Sequence, residues 1–471
     1  MKRRHFISLA GMSSVACLSG ATVSGIETDA VENPLKDVKL SDSTDCDVLI
    51  IGGGSAGISA ALMAGKAGVS TILVEATHQL GGNTTSGGVT CPGPFHAWGR
   101  QVIAGPAWDF ILECVNLDGG KLPDFTKFDR HRHWELAVSV HAPLYVMVAE
   151  DMLQKSGVEI RYHEAPILLQ KTPTGWDVIT AAMSEIRRIR ARRVIDCTGS
   201  ASVAALVGAE RMRENVVQPG TFNYKIQHDV PLDSLTDAQK KEILDKYDAA
   251  MKRGDIQPGD ACRGIMQYLG YTRFRIEDFF SYSENNYVYS ADNSTAAKRT
   301  ETNLRGRSAV LRMLRFIKTL PGGETARIAY VSPEVGVRET WRVRGDYVIS
   351  VDDYVTGRVW EDSLCYAYYP IDVHHDKTGV QPKALEEGIL PTIPLRALIP
   401  VGVEDMFVAG RCLSADRLAN SGLRVQGACM ASGQVAAAAA TVSIRNSSSV
   451  RNVDLPAVKK LLTQFGAIVP E

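Results

Sequence analysis

No two of the nine cysteines in this 471-residue chain form a C-x-x-C pair, and none belongs to a C-x-x-C-H stretch or a repeated zinc-type spacing. A c-type haem, a thioredoxin-like redox pair and a cysteine-based zinc framework are thereby excluded. Charge of one sign is also lacking: 52 Lys and Arg against 53 Asp and Glu leave a formal net charge of −1 and no electrostatic bias toward nucleic acid. No apolar run reads as long enough to span a bilayer. There is no second glycine-rich nucleotide fingerprint and no iron–sulfur motif. What is present is an ordinary globular composition, 45% hydrophobic, with length enough for a large core and about two domains.

The stretch from Cys46 to Gly88 carries the strongest pattern. Val48-Leu49-Ile50-Ile51 is a short continuous apolar run, as a strand covered on both faces of a parallel sheet requires. It runs into Gly52-Gly53-Gly54-Ser55-Ala56-Gly57, a G-x-G-x-x-G, and then into a helical pattern through Ile58, Ala61, Met63 and Ala64 that Gly68 ends. Thr71-Ile72-Leu73-Val74 is the next strand, with Glu75 at its end. In a dinucleotide site Gly52 permits the tight turn, Gly54 the close approach of backbone to a pyrophosphate, and Gly57 the packing of helix on strand. The pyrophosphate would rest on the helix N-terminus at Ser55 and Ala56, where unpaired N–H groups favour negative charge. Glu75, roughly 20 residues on, accepts hydrogen bonds from a ribose hydroxyl.

Three further stretches extend this site. Leu80-Gly81-Gly82-Asn83-Thr84-Thr85-Ser86-Gly87-Gly88 resembles the loop that approaches the flavin in FAD-linked oxidoreductases of the glutathione-reductase-like superfamily, making Gly81, Gly82, Asn83, Ser86 and Gly87 candidates. Arg192 to Gly199 is a strand ending in Asp196-Cys197-Thr198-Gly199, similar to the A-T-G motif of flavoproteins, so Thr198 and Gly199 join them. Relatives often carry acids where Ser200 and Ser202 stand. Near the C-terminus, Met406-Phe407-Val408-Ala409-Gly410-Arg411 leads to Gly422-Leu423-Arg424-Val425 and a small-residue helix. The resemblance implies that Gly410, Arg411, Arg424 and Val425 lie at the cofactor, the helix start facing the flavin pyrimidine.

The landmarks from Asp45 to about Ala440 resemble, in order, those of bacterial FAD-dependent oxidoreductases. The resemblance implies an α/β fold: a Rossmann-like FAD-binding domain with a parallel sheet and a β-meander, interrupted by an α+β substrate domain. The FAD-binding parts are expected at 45–211 and 367–445, the substrate domain at 212–366, and a C-terminal tail at 446–471. Strands are expected at 158–162, 167–169 and 176–179, and a helix from Leu144 to Lys155. Ser234 is the expected cap of an amphipathic helix through Ile243, Leu244 and Tyr247, and a second helix should run from Thr295 to Leu320. Residues 92–143 read as loop-rich and aromatic; the pair His131 and His133 could bind metal or substrate, but reads rather as a polar surface or packing feature, since no carboxylate spacing supports a metal. Most of the eight cysteines after Cys17 read as small buried apolar residues.

Catalysis needs a base for the proton that leaves with a hydride, and histidine is most easily poised near neutral pH. His374 and His375, in Tyr369-Pro370-Ile371-Asp372-Val373-His374-His375, are the candidates, with Arg338 and Arg344 of an arginine-rich strand for an anionic or polar substrate group. The expected activity is oxidation or reduction of a small molecule by hydride transfer to or from flavin N5, with an external electron acceptor or donor. Two alternatives stand beside it. One is a fumarate-reductase-like reductase of an unsaturated acceptor, which Gly81-Gly82-Asn83 and Ser86-Gly87-Gly88 resemble; the other is a flavin-holding protein without turnover.

Residues 1–25 read as an export signal: Lys2-Arg3-Arg4-His5-Phe6-Ile7 precedes a mildly apolar stretch and then Ser19, Gly20 and Ala21, and the paired arginines resemble a twin-arginine signal. That implies the twin-arginine export machinery as a partner and a periplasmic location, with membrane association left open and no stable span after processing. Residues 26–44 read as a polar linker.

Overall fold

The computed structural model describes residues 39–129, 131–275, 286–376, 379–380 and 382–471. The expected signal segment and most of the linker lie outside them. Strand β1 (Asp42–Ile51) begins three residues before the expected start of the FAD-binding part at 45. It is followed by α1 (Ser55–Lys66) and β2 (Thr71–Glu75). The segment expected to be loop-rich contains α2 (Pro106–Leu117), which starts on a proline at its first turn and buries Trp108, Phe110 and Ile111. Then come α3 (Ala142–Lys155), β3 (Glu159–Tyr162) and three strands that form the meander, β4 (Glu164–Thr172), β5 (Gly175–Ala182) and β6 (Glu185–Asp196).

These strands make one mixed sheet in the order β3-β2-β1-β6-β5-β4. β1, β2, β3 and β6 run parallel, and the meander is antiparallel. β6 is divided along its outer edge. Its first part pairs with β5, while Val194 to Asp196 pair in parallel with the strand Met406–Val408, which returns from more than 200 residues downstream. This α/β arrangement, with a parallel sheet ending in the glycine turn, is the Rossmann-like architecture expected.

Between these halves lie a short helix α4 (Ser202–Leu206), packed on β4 and β6, and then α5 (Asp237–Arg253), α6 (Ile265–Thr272) and α7 (Ala296–Ile317), gathered around a two-stranded pair of Tyr224–Gln227 with Arg327–Val331. Phe222, Tyr224, Ile243, Leu269, Met313 and Ile317 form a hydrophobic cluster of their own there. The cap of α5 is Thr236 and not Ser234: its side chain accepts from the Gln239 N–H while Gln239 reaches back, a capping box that Ser234 stands too early to make. Leu244, expected on the apolar face of α5, is exposed, since Ile243 and Ala250 are that helix's buried residues, and on α7 Ala309, Val310, Met313 and Ile317 fill the buried stripe while Leu304 and Leu311 are exposed. The arginine-rich stretch 336–347 is strand only at Arg342–Val343.

After the short helices α8 (Val351–Thr356) and α9 (Arg417–Leu423) comes α10 (Gln426–Arg445), and α11 (Leu455–Gln464) packs on it. α10 is long and apolar enough to cross a membrane, contrary to the expectation that no segment is, yet it is buried on all sides against α1, β1 and β6. A helix apolar all round suits the interior of a large protein equally well. Of the eight described cysteines, all but Cys91 and Cys262 are buried.

Candidate functional site: two cavities that meet

β1 ends in a turn that only glycine fits. Gly52 has φ +103°, and a Cβ there would stand 2.7 Å from the Cys197 carbonyl oxygen. A Cβ on Gly57 would fall 1.9 Å from the Gly52 carbonyl oxygen, so α1 packs directly on the turn. Nothing lies within 4 Å of where a Gly54 Cβ would begin. The backbone at the start of α1 therefore faces open space, with no side chain capping its free N–H groups.

That space is a cavity of about 520 Å³. Gly52, Gly54, Ser55, Ala56 and Glu75 line one part of it, and Gly82, Asn83, Ser86 and Gly87 another. Thr198, Gly199, Gly410, Arg411 and Arg424 line it too. Gly57 lies behind the turn, Gly81 bridges to Gly54, and Val425 faces a second cavity. Thus chain segments more than 300 residues apart close around one cleft.

Several contacts hold its walls. Glu75 accepts from the Gly53 N–H at 2.7 Å and from the Thr77 N–H at 2.8 Å, fixing the acid at the end of β2. Asp196, fully buried, accepts from Thr198 N and Oγ1 and from the N–H groups of Val203 and Ala204. It thereby holds the Thr-Gly turn, with the Ser202 N–H also donating to Thr198 Oγ1 at 3.0 Å, and burial raises the Asp196 pKa above the usual carboxylate range. Asn83 makes a reciprocal pair with Val337, donating to its O and accepting from its N–H, both at 3.0 Å. Thr84 hydrogen-bonds both Ser55 and Gln426, tying α1 to α10.

Arg411 donates through Nε to Gly199 O at 2.9 Å and through Nη1 to Val337 O at 2.6 Å. Desolvation pushes its pKa down to about 10. No carboxylate lies within ion-pair distance of it among the described residues, so the cleft wall carries a cation suited to an anionic ligand. An exposed helix start, a ribose-type acid and this guanidinium together fit a dinucleotide of FAD type.

The second cavity, about 970 Å³, shares Asn83, Arg338, Arg424 and Gln426 with the first, so the two meet there. At the junction His374 is 6% exposed. Its Nε2 lies 3.1 Å from Asp372 Oδ2 and its Nδ1 3.0 Å from the Tyr287 hydroxyl. Burial alone would raise the Asp372 pKa, but the His374 hydrogen bond and the charges of His374, Arg424 and Arg338 outweigh it and hold the carboxyl below its usual range. Asp372 is therefore ionised, so His374 donates Nε2–H to it, and when the imidazole is neutral its Nδ1 accepts from the Tyr287 hydroxyl.

Arg424 donates to Asp372 O at 2.9 Å, while its buried Nε has no hydrogen-bond partner among the described residues. Arg338 donates to Pro219 O at 2.6 Å and stands over the Tyr287 ring. Gln218 links the group to a buried ion pair: its Oε1 accepts from the His374 N–H and it donates to Glu339, which Arg417 engages through Nε and Nη2.

Two catalytic candidates are not brought to either cavity. His375 is exposed at the next strand position, since successive side chains of a strand point to opposite faces. Arg344 is half-exposed and faces Glu210 at 3.6 Å. Conversely, sequence reasoning placed His133 among surface or packing features, yet it lines the second cavity beside Trp134, stacked edge-on against Tyr369. Burial pushes the His133 pKa down to about 4, so it is neutral at pH 7. Asp372 and Tyr287 were also missed as site residues; the only sequence signal was the position of Asp372 two before His374, near enough for the two side chains to meet.

Residues 47–462 match the family model described as FAD dependent oxidoreductase. A thiamine thiazole synthase of Methanococcus aeolicus is 28% identical over 185 residues, covering 38% of this chain and 65% of that protein, so the match falls short of two thirds of its length. Among solved structures, a geranylgeranyl bacteriochlorophyll reductase-like protein of Thermoplasma acidophilum aligns over 90% of this chain and 83% of its own, at 12% identity and TM-score 0.39. The p-nitrophenol 4-monooxygenase of Pseudomonas putida aligns over 89% and 84%, at 12% identity and TM-score 0.38.

Proposed function

This chain belongs to the FAD-dependent oxidoreductase family, and from that premise we propose that it oxidises or reduces a small molecule by hydride transfer, with His374 moving the accompanying proton. FAD in the smaller cavity would supply hydride exchange at N5 of its ring. The observation that carries the reading is His374, a buried imidazole lining the substrate-sized cavity and hydrogen-bonded to an ionised carboxylate where that cavity meets the cofactor cleft. Asp372 holds Nε2–H and stabilises the imidazolium that forms when His374 takes a proton at Nδ1, a proton that reaches it through the Tyr287 hydroxyl as that group passes on its own, and Tyr287 and Asp372 together fix the ring orientation. Arg338 and Arg424 hold a polar substrate group at the junction. Residues 45–211 and 367–445 serve as the FAD-binding parts, residues 212–366 as the substrate domain and 446–471 as a tail.

His374→Gln in the FAD-loaded protein should keep the flavin and slow its reduction by substrate about 10²- to 10⁴-fold, in the range of lost general-base catalysis. Unchanged turnover in that variant would remove His374 from the mechanism. With no second nucleotide fingerprint, electrons pass to or from an external partner. Export to the periplasm through the twin-arginine machinery rests on Arg3 and Arg4, and Arg3→Lys with Arg4→Lys should leave the protein in the cytoplasmic fraction.

A further inference from the structure

Buried polar groups in folded proteins are almost always paired, so one that faces a cavity with no partner marks a place kept for a ligand. His133 is such a group in the larger cavity. It is 7% exposed, and its ring nitrogens have no hydrogen-bond partner among the described residues. Its side-chain contacts are with rings: Trp134 at 5.3 Å and Tyr369 at 4.6 Å between centroids, both nearly perpendicular to it. Edge-on packing of this kind fixes the imidazole without using its donor or its acceptor. Asp372 is close enough to act on it electrostatically, which sets His133 toward the His374 end of the cavity. Burial nevertheless holds its pKa at about 4, so at pH 7 the ring is uncharged, with one nitrogen carrying an N–H and the other a lone pair.

The lining around His133 is apolar. Gly93 pairs with Val138, and the Val140 N–H donates to Thr90 O at 3.0 Å, so the chain at 89–93 lies beside that at 133–140. Val425 packs against the same place, its Cγ1 2.5 Å from where a Cβ on Gly93 would stand. Val89, Cys91, Trp134, Ala137 and Val425 face the cavity from these segments. A neutral imidazole in such surroundings suits an uncharged oxygen, because a charged group placed against it would give up its hydration and gain no opposite charge from the ring. We infer that His133 selects the substrate, hydrogen-bonding the hydroxyl or carbonyl oxygen of an uncharged molecule whose apolar body lies along Val89, Trp134 and Val425. This deepens the proposed function and rests on it for the placing of the reacting carbon at the His374 junction.

The test is calorimetric titration of three molecules of similar shape, 1-phenylethanol, acetophenone and ethylbenzene, into the FAD-loaded full chain, with flavin content followed separately by absorbance. The alcohol or the ketone should bind about tenfold more tightly than the hydrocarbon, as one hydrogen bond in a desolvated site allows. His133→Phe keeps a ring beside Trp134 and Tyr369 and should erase that preference, while ethylbenzene affinity, flavin content and melting temperature stay as in the parent. His133→Gln, which keeps a donor and an acceptor, should restore part of it. A lead for the ketone assigns the contact to the ring N–H, and a lead for the alcohol assigns it to the nitrogen that accepts. Equal binding of all three by the parent, binding of none, or a preference that survives in His133→Phe overturns the inference. So does a Phe variant that weakens all three alike, since that is a packing role. Discrimination by a protein that takes up no flavin would sustain it and overturn the cofactor reading alone.

Discussion

The two cavities are built in different ways. The smaller one is made largely of backbone: a glycine turn, an uncapped helix start, a Thr-Gly turn held by Asp196 and an Ala-Gly-Arg segment. The larger one is made of side chains from segments far apart in sequence, among them His133, Lys225, Arg263, Arg338 and His374. Backbone sites depend on local conformation and tolerate little, because no rotamer change relieves a clash with a main-chain atom. Side-chain sites are exchanged one group at a time, which lets one cofactor architecture serve many substrates.

The sharpest test of this contrast is Gly57→Val. Its Cβ would sit inside the contact distance of the Gly52 carbonyl, so we expect loss of soluble FAD-loaded protein, read from the flavin absorbance of the purified chain. A variant that still carries a full complement of flavin would mean the turn has freedom that its geometry denies. His374→Gln comes next, with the fall in rate given above and an unchanged flavin content; the two variants together separate holding the cofactor from using it.

Asp372→Asn probes the junction through pH. The folded-state pKa of Asp372 is depressed, so its contribution to stability is present above the unfolded value of about 3.9 and is lost as pH falls through the lower folded value. Melting temperatures of the parent should therefore decline in acid more steeply than those of the Asn variant. Equal slopes would show that the His374 and Arg424 contacts do not hold the carboxyl low. Tyr287→Phe removes one hydrogen bond to Nδ1 and leaves the packing, so the pH–rate profile should shift while rate at the optimum falls by about tenfold. A profile that does not move would confine Tyr287 to packing. Thr236→Ala, remote from both cavities, sets the baseline: loss of a capping box should cost about 1 kcal/mol in chemical denaturation and nothing in flavin binding or rate.

The contrast also explains which parts were legible. β1, α1 and β2 are apparent as a buried run, a glycine turn and a period near 3.6, because each depends on neighbours within a few residues. α2 was missed because its aromatic, proline-led sequence does not look helical until Trp108 and Phe110 have a core to enter. The cap of α5 was misplaced by two residues because Ser234 and Thr236 are both competent caps, and only the reach to Gln239 distinguishes them. His374 and His375 were indistinguishable in the sequence, and strand alternation buries the first and exposes the second.

The chain by itself thus determined the dinucleotide half of the molecule, since a G-x-G-x-x-G between strand and helix is a local backbone device whose purpose is readable from spacing. Tertiary structure alone decided the other half. His133, Arg263, Arg338 and His374 carry no shared pattern along the chain, and they line one cavity only because distant segments fold against one another. The same folding gives His374 an ionised partner two residues away and a hydroxyl from Tyr287, 87 residues before it in the chain. Non-local contacts of that kind leave no periodicity, because what brings the groups together is the burial of the surfaces between them and not the sequence beside them.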